Sequence, residues 1–137
     1  TRVIKAQLAY WITRFRSVIL DATAQKQAVN QVYRFLAQGD PATSTVSEYF
    51  QSQGNPFKRA KTEIVSVDIS SVLPISDKSW QIEWTETIRN RQGAKKGKPI
   101  RMKAAIEILI VPPDREQNIL INPLGLYIKQ IHWTKQL

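Results

Sequence analysis

One stretch decides the fold class: residues 79–91 have the sequence SWQIEWTETIRNR. Large apolar side chains stand at every second position at Trp80, Ile82 and Trp84, and the same parity returns at Ile88. A period of two is typical of a β-strand that buries one face and exposes the other. The stretch therefore predicts a half-buried strand.

The same alternation recurs on both sides of this stretch. Upstream, Val65, Val67 and Ile69 alternate with polar residues, and Pro74 with a short polar turn ends the strand. Downstream, apolar residues at every second position predict a third strand, and the end of the chain predicts a fourth. The four predicted strands cover about 62–73, 79–91, 99–111 and 126–134.

Ahead of the strands, apolar residues recur at steps of three and four, which places them on one face of a helix. The predicted helices cover about 3–19, 22–37 and 41–53, and a short one covers about 115–121. Asp21 and Asp40 are the predicted N-caps of the second and third helices. Asp114 and Gln117 have the spacing of a capping box for the short helix, which Pro123 must end.

This order of elements predicts an α+β domain. Helices that precede sequential antiparallel strands cover one face of a sheet, and the long first helix is the expected cover. A chain of 137 residues is the size of one domain, and no repeat or linker divides residues 1–137.

The composition excludes several kinds of site. The chain has no cysteine and one histidine, His132, so thiol nucleophiles, thiolate zinc sites and histidine-rich metal sites are excluded. We predict no metal and no cofactor. No apolar run approaches the ~18 residues that cross a bilayer. Because the chain starts at Thr1 without a methionine, a targeting segment is expected upstream.

The positive charge is concentrated in one segment. The chain has 20 basic and 11 acidic residues, and seven of the basic ones lie between 89 and 103, where no acidic residue occurs. They are Arg89, Arg91, Lys95, Lys96, Lys98, Arg101 and Lys103. We interpret the segment as the exposed tip of a hairpin. The alternative interpretation is that its cations contact an anionic surface such as lipid headgroups. It contains no aromatic side chain to stack on bases, so a nucleic-acid partner is not expected.

The most specific motif is Asn122-Pro123-Leu124-Gly125. Asn and Gly tolerate left-handed backbone geometry and Pro fixes the bend, so the motif predicts a rigid turn ahead of the last strand. Taken alone, such a tetrapeptide predicts a turn and nothing more.

Its setting adds a resemblance. Several features together resemble one family: the order of elements, Arg16-Ser17-Val18 at the end of the first helix, Val72-Leu73-Pro74 at the end of the first strand, Trp84-Thr85-Glu86 and the Asn122–Gly125 turn. The chain is similar to the periplasmic domain of the TrbF-like component of conjugal transfer machines. That component is the bitopic inner-membrane core protein of bacterial type IV secretion systems.

The resemblance implies a fold similar to nuclear transport factor two, a curved sheet wrapped by helices. It implies an assembly factor without known catalysis, carrying a cytoplasmic tail and one membrane helix ahead of a periplasmic domain. It also implies self-association, as a homodimer or higher oligomer, and contacts with other inner-membrane and scaffold subunits. Asn122, Pro123 and Gly125 inherit the expectation of an interaction role.

Two alternatives and one surface remain open. The first alternative is a small enzyme whose curved sheet and helices form a cone around a pocket. It would use Glu86, Asp68 or His132, since a carboxylate in a pocket can act as a general base. A nucleic-acid-binding module would need a continuous basic stripe with exposed aromatic residues. In strict alternation Tyr127, Ile131 and Trp133 share one face of the last strand, which predicts a self-association surface if that face is exposed.

Overall fold

The computed structural model describes residues 2–137. The elements are, in order, α1 (Arg2–Arg16), α2 (Ala22–Tyr33), α3 (Pro41–Gln51), α4 (Pro56–Arg59), β1 (Ile64–Pro74), β2 (Ser79–Arg89), β3 (Ile100–Ile110), α5 (Glu116–Ile121) and β4 (Leu126–Lys135). The predicted α+β class with four antiparallel strands is confirmed.

The strands lie side by side in sequence order, β1-β2-β3-β4. Trp80 of β2 pairs with Ile106 of β3, which in turn pairs with Ile131 of β4. Along β2 the even-numbered residues from Trp80 to Glu86 are buried, as the alternation predicts. One face of the sheet therefore belongs to the core, and we call the opposite face the outer face.

The helices cover the core face of the sheet. The inner stripe of α1 is almost fully buried and consists of Leu8, Trp11, Ile12 and Phe15. The indole Nε1 of Trp11 donates to the Val32 carbonyl at 3.0 Å, which ties α1 to α2. Among the described residues, no helix combines the length and the apolar character needed to cross a bilayer.

Two helices end earlier than predicted. The first ends at Arg16 and not near residue 19, because Val18 leaves the helix and pairs with Val65 through two backbone hydrogen bonds of 3.2 and 3.0 Å. The second ends at Tyr33, because the Phe35 carbonyl accepts a hydrogen bond from the backbone of Ile128 at 2.8 Å. Contacts with the sheet thus take the place of further helical turns.

The predicted caps have mixed outcomes. Asp21 caps α2 as predicted and accepts from the backbone N–H groups of Thr23 and Ala24. Asp40 makes no cap hydrogen bond, because its carboxylate pairs with the Lys129 ammonium at 2.7 Å instead.

The capping box predicted for the short helix is wrong. Arg115 occupies the N-cap position of α5, and no side chain caps this end. Sequence analysis also missed α4, where Asn55 accepts from the backbone N–H groups of Phe57 and Lys58. The Asn-Pro pair at its start is a cap signal, but four residues are too few to show a period.

A β-bulge overturns the predicted face of the last strand. Gln130 pairs with Glu107 and Ile128 with Ile108, so Lys129 is an extra residue between them. An extra residue reverses the alternation beyond it. Ile131 and Trp133 therefore lie on the core face with Ile128, and Tyr127 lies on the outer face.

Candidate functional site

An ion pair joins the first helix to the middle of the sheet. Nε of Arg16 donates to Oε2 of Glu86 at 2.6 Å, and Nη2 donates to Oε1 at 3.2 Å. The indole Nε1 of Trp84 donates to the same Oε2 at 2.8 Å. Arg16 is 7% and Glu86 3% exposed, so the pair lies in the core.

Aromatic rings enclose the Arg16 guanidinium. Its central carbon lies 4.9 Å from the centre of the Tyr49 ring, 5.6 Å from Trp133 and 5.8 Å from Phe15. Ring faces attract a cation, which offsets part of the cost of removing it from water. Three elements, α1, α3 and β4, thus meet around one charge.

The three catalytic candidates are not brought together. Both oxygens of Glu86 are engaged by Arg16 and Trp84, which leaves the carboxylate poorly placed to take a proton from a substrate. Asp68 is exposed and lies on the outer face, because its neighbour Val67 pairs with Glu86 on the core face. His132 is exposed on β4.

The Asn122 side chain holds the turn from the inside. Its Nδ2 donates to the carbonyls of Leu126 at 2.8 Å and Arg34 at 3.3 Å, and its Oδ1 accepts from the Leu126 backbone N–H at 3.2 Å. Asn122 is only 6% exposed. It therefore joins α5, the start of β4 and the end of α2, and its role in the structure is internal.

Gly125 is also buried inside the turn. Its φ is +69°, and a Cβ there would overlap the Val111 carbonyl. Its own carbonyl accepts from the Val111 N–H at 2.8 Å. Pro123, in contrast, is exposed. The motif is a rigid support that presents Pro123 to the outside.

A groove lies beside this turn. It has a volume of about 190 Å³ and is lined by Gln7, Tyr10, Gln31, Arg34, Phe35, Ile121, Asn122 and Pro123. A larger, open groove of about 580 Å³ includes Thr45, Trp80, Ile131 and His132 in its lining. Glu86 and Asp68 line neither groove, so no cavity described here contains a carboxylate catalyst candidate.

The basic hairpin is exposed over residues 91–99 and is tied to α4 at its base. Nη1 of Arg91 donates to the Ala60 carbonyl at 3.3 Å, and the Lys96 ammonium lies 3.3 Å from a Glu63 oxygen. These contacts bring Lys58, Arg59 and Lys61 next to the hairpin. The basic surface is therefore broader than the sequence segment that predicted it.

Glu63 is the acidic residue at the base of this surface. Partial burial raises the pKa of its carboxyl, but the hydrogen bonds and charges of Arg59 and then Lys96 outweigh burial and hold the pKa below its usual range. Arg59 is 2.8 Å from the carboxylate. The ionised Glu63 thus fastens the hairpin to the chain segment after α4.

Tyr127, Ile131 and Trp133 do not form one exposed surface. Ile131 is 7% exposed, and the Trp133 ring lies 5.1 Å from Phe15 and 5.4 Å from Tyr49, centre to centre. Tyr127 is half-buried and pairs with Leu109 on the outer face. Ile131 and Trp133 pack in the core of this chain, so the prediction that they form an exposed contact surface is wrong.

Sequence analysis missed the role of Arg16. Arg16 and Glu86 stand in two separate sequence motifs, and neither motif identifies the other residue as a partner. Two features of the sequence could have indicated a buried ion pair. Arg16 directly follows Phe15 of the apolar stripe of α1, and Glu86 stands at an even-numbered position of β2, where most of the other side chains are buried. No spacing rule identifies partners that lie so far apart in the chain.

The sequence comparisons extend over the whole domain. A family model described as VirB8 protein matches residues 1–136. The conjugal transfer protein TrbF of Rhizobium radiobacter is 38% identical over 136 residues, which are 99% of this chain and 61% of that protein. The chain thus spans about three-fifths of the length of this relative.

Solved structures show the same fold. The soluble domain of TrwG of the type IV secretion machinery from Bartonella grahamii has a TM-score of 0.82 at 16% identity, over 100% of this chain and 95% of that one. Agrobacterium tumefaciens VirB8 has a TM-score of 0.81 at 16% identity, over 99% and 92% of the chains. The expected curved-sheet fold is confirmed. The family model, which matches nearly the whole chain, shows that this chain belongs to the VirB8 protein family.

Proposed function

We propose that this chain is the periplasmic assembly domain of a bitopic inner-membrane protein in a conjugal transfer channel. It acts without catalysis, by self-association and by docking to other inner-membrane and scaffold subunits. The membrane helix that anchors it lies ahead of α1. The VirB8 family match and the TrbF relative support the channel role and, with it, the proposed periplasmic location.

One observation carries the docking proposal: Pro123 is exposed on a turn whose other residues are locked from inside. Asn122 and Gly125 make the hydrogen bonds that fix the turn. Pro123 is not one of these residues, and its exposed side chain is available for a partner. A contact surface that is already rigid loses little conformational entropy on binding. The groove formed with Tyr10 and Arg34 adjoins it.

For self-association, Tyr127 is the residue of the last strand that stays available. It lies on the outer face beside Leu109, which is 40% exposed. Ile131 and Trp133 contribute by holding β4 in place. Sedimentation tests this proposal: Tyr127→Ser should weaken an oligomer that the parent chain forms, and a parent chain that stays monomeric at high concentration contradicts it.

Conjugation tests the docking proposal. A full-length gene carrying Pro123→Asp should complement a deletion poorly while the protein accumulates normally. Pro99→Asp changes an equally exposed proline in the basic hairpin and should leave transfer close to the parent value. Equal transfer by both variants would remove Pro123 from the docking surface.

A second candidate function is supported by the basic surface. Lys58 and Arg59 of α4 and Lys61 just after it add to the hairpin, and Phe57 of α4 is a 43% exposed aromatic side chain. Clustered cations with an aromatic residue suit a single-stranded nucleic acid. Salt-sensitive binding of a labelled oligonucleotide that is lost in Lys58→Glu with Lys61→Glu would support it, and no binding at low salt would exclude it.

A further inference from the structure

The short helix α5 exposes apolar side chains that the rest of the domain does not cover. Three consecutive apolar residues, Ile119, Leu120 and Ile121, are 44%, 78% and 50% exposed, and no residue of α5 is buried. Val111, just before α5, is 50% exposed. We call these four residues the apolar patch. An exposed apolar cluster of this kind marks a contact surface.

The patch lies at one end of the domain. The N-terminal half of α1 reaches this end, since Gln7 and Tyr10 line the same groove as Ile121. Other exposed large apolar residues stand near the start of α1 (Val3), at the end of β1 (Leu73 and Ile75) and at the end of β3 (Leu109 and Ile110). We call the end of the domain that holds the patch the apolar end.

The basic surface lies at the other end. Val18, just after α1, pairs with Val65, and the neighbouring Ile64 pairs with Arg89 at the base of the basic hairpin. Since α1 has 15 residues, it separates the two ends by about 20 Å. The domain therefore has an apolar end beside the start of α1 and a basic end beside its finish.

We infer that the apolar patch rests in the interface of a phospholipid bilayer. This inference depends on the proposed function, because a membrane anchor ahead of α1 holds the start of that helix at the bilayer surface. Gln7 is five residues from Arg2, or about 8 Å along the helix, so the patch is then within reach of the same surface.

The charges around the patch match a lipid headgroup layer. Arg34 lines the groove with Ile121, and Arg2 and Lys5 are exposed near the start of α1, at the same end of the domain. Arg115 is exposed next to α5, together with the carboxylates of Asp114 and Glu116. Apolar side chains flanked by cations are typical of segments that lie in a bilayer interface, where the cations meet phosphates. The balance favours an anionic bilayer over an acidic protein surface, which offers no apolar layer for Leu120.

This arrangement makes a prediction about the basic end. With the apolar patch in the bilayer, residues 91–99 point away from the membrane and stay in water. The competing arrangement places the basic hairpin on anionic headgroups and leaves the patch in water. Attraction of exposed cations to headgroups is screened by salt, whereas burial of apolar side chains is not, so salt separates the two arrangements.

Single-cysteine labelling tests the inference, since the chain has no cysteine of its own. Gln117→Cys places an environment-sensitive dye next to the patch, and Gln92→Cys places it at the hairpin tip; both positions are exposed. The chain is held by an N-terminal histidine tag on vesicles of phosphatidylglycerol and phosphatidylethanolamine that contain a chelating lipid. Lipid-borne spin labels then quench any dye that reaches the bilayer.

We expect quenching and a blue shift at position 117, at low and high salt, and neither at position 92. Without the tag, the double variant Ile119→Asp with Leu120→Asp should bind vesicles roughly ten- to a hundredfold more weakly. Its melting curve should match that of the parent chain, since both side chains are exposed.

Quenching at position 92 alone, or at neither position, would overturn the inference. The proposed function is judged separately, by transfer with Pro123→Asp. If Pro123→Asp leaves transfer unchanged while the dye at position 117 is quenched, the docking role is wrong and the bilayer contact stands. If Pro123→Asp reduces transfer while the dye at position 117 is not quenched, the docking role stands and the bilayer contact is wrong.

Discussion

Arg16 and Glu86 are 70 residues apart in the chain and are joined by two hydrogen bonds in the core. The pair lies between the end of α1 and the core face of β2. Trp84 and three aromatic rings complete its surroundings. Both side chains are thus engaged in contacts that hold α1 on the sheet.

Removing one partner of this pair should be costly. Glu86→Leu leaves the Arg16 charge buried without a counter-ion and should lower the free energy of unfolding by about 3–5 kcal/mol. The double variant Arg16→Met with Glu86→Leu should lose less than Glu86→Leu alone, because no charge is then stranded. Chemical denaturation measures both values, and a single variant as stable as the parent would contradict the assigned role.

Gly125 and Pro123 should separate stability from function. Gly125→Ala puts a Cβ against the Val111 carbonyl and forces a non-glycine residue to a φ of +69°. We expect a loss of several kcal/mol or failure to accumulate, as for other strained backbone positions. Pro123→Ala should change the melting temperature little. Equal melting temperatures for the two variants would show that the turn is not locked as described.

Trp133 should behave as a core residue. Trp133→Ala removes a ring that packs against Phe15 and Tyr49, and we expect a loss of about 3–5 kcal/mol. Tyr127→Ala, on the outer face of the same strand, should cost clearly less. Urea unfolding gives the loss in stability of each variant. A larger loss for Tyr127→Ala than for Trp133→Ala would contradict the bulge at Lys129 and the faces that it assigns to the two side chains.

Glu63 should give a pH-dependent contribution to stability. Its pKa is lower in the folded protein than its usual value of 4.5, so its stabilising effect is complete above that value and fades as the pH falls through the folded pKa. Glu63→Gln should therefore melt below the parent chain at neutral pH and approach it in acid. Exposed Glu48→Gln is the control, and a difference that persists unchanged in acid would exclude the ion pairs with Arg59 and Lys96.

Much of the fold could be predicted from period alone. The alternation from Trp80 to Ile88 marked a half-buried strand, and the order of helices and strands then left one sheet with one covered face. The face of β4 beyond Lys129 could not be predicted, because one unpaired residue reverses every later position and leaves no mark in the composition. The four residues of α4 were too few to show a period.

The site was predicted less well than the fold. The Asn122–Gly125 motif was recognised as a turn, but the internal bonds of Asn122 to Arg34 and Leu126 depend on tertiary neighbours. The pair of Arg16 and Glu86 needs both partners to be placed before it can be seen. The apolar patch could not be predicted, because a short helix with Ile119, Leu120 and Ile121 has the same sequence whether or not its fold buries them.

Crosslinking in mating cells tests the central claim most directly, that Pro123 is a docking point. A photoreactive amino acid at position 123 of the full-length protein should form an adduct with another channel subunit or a second copy. The same group at Gln92 should give a different pattern or none. Efficient transfer with no protein adduct at position 123 would contradict the account.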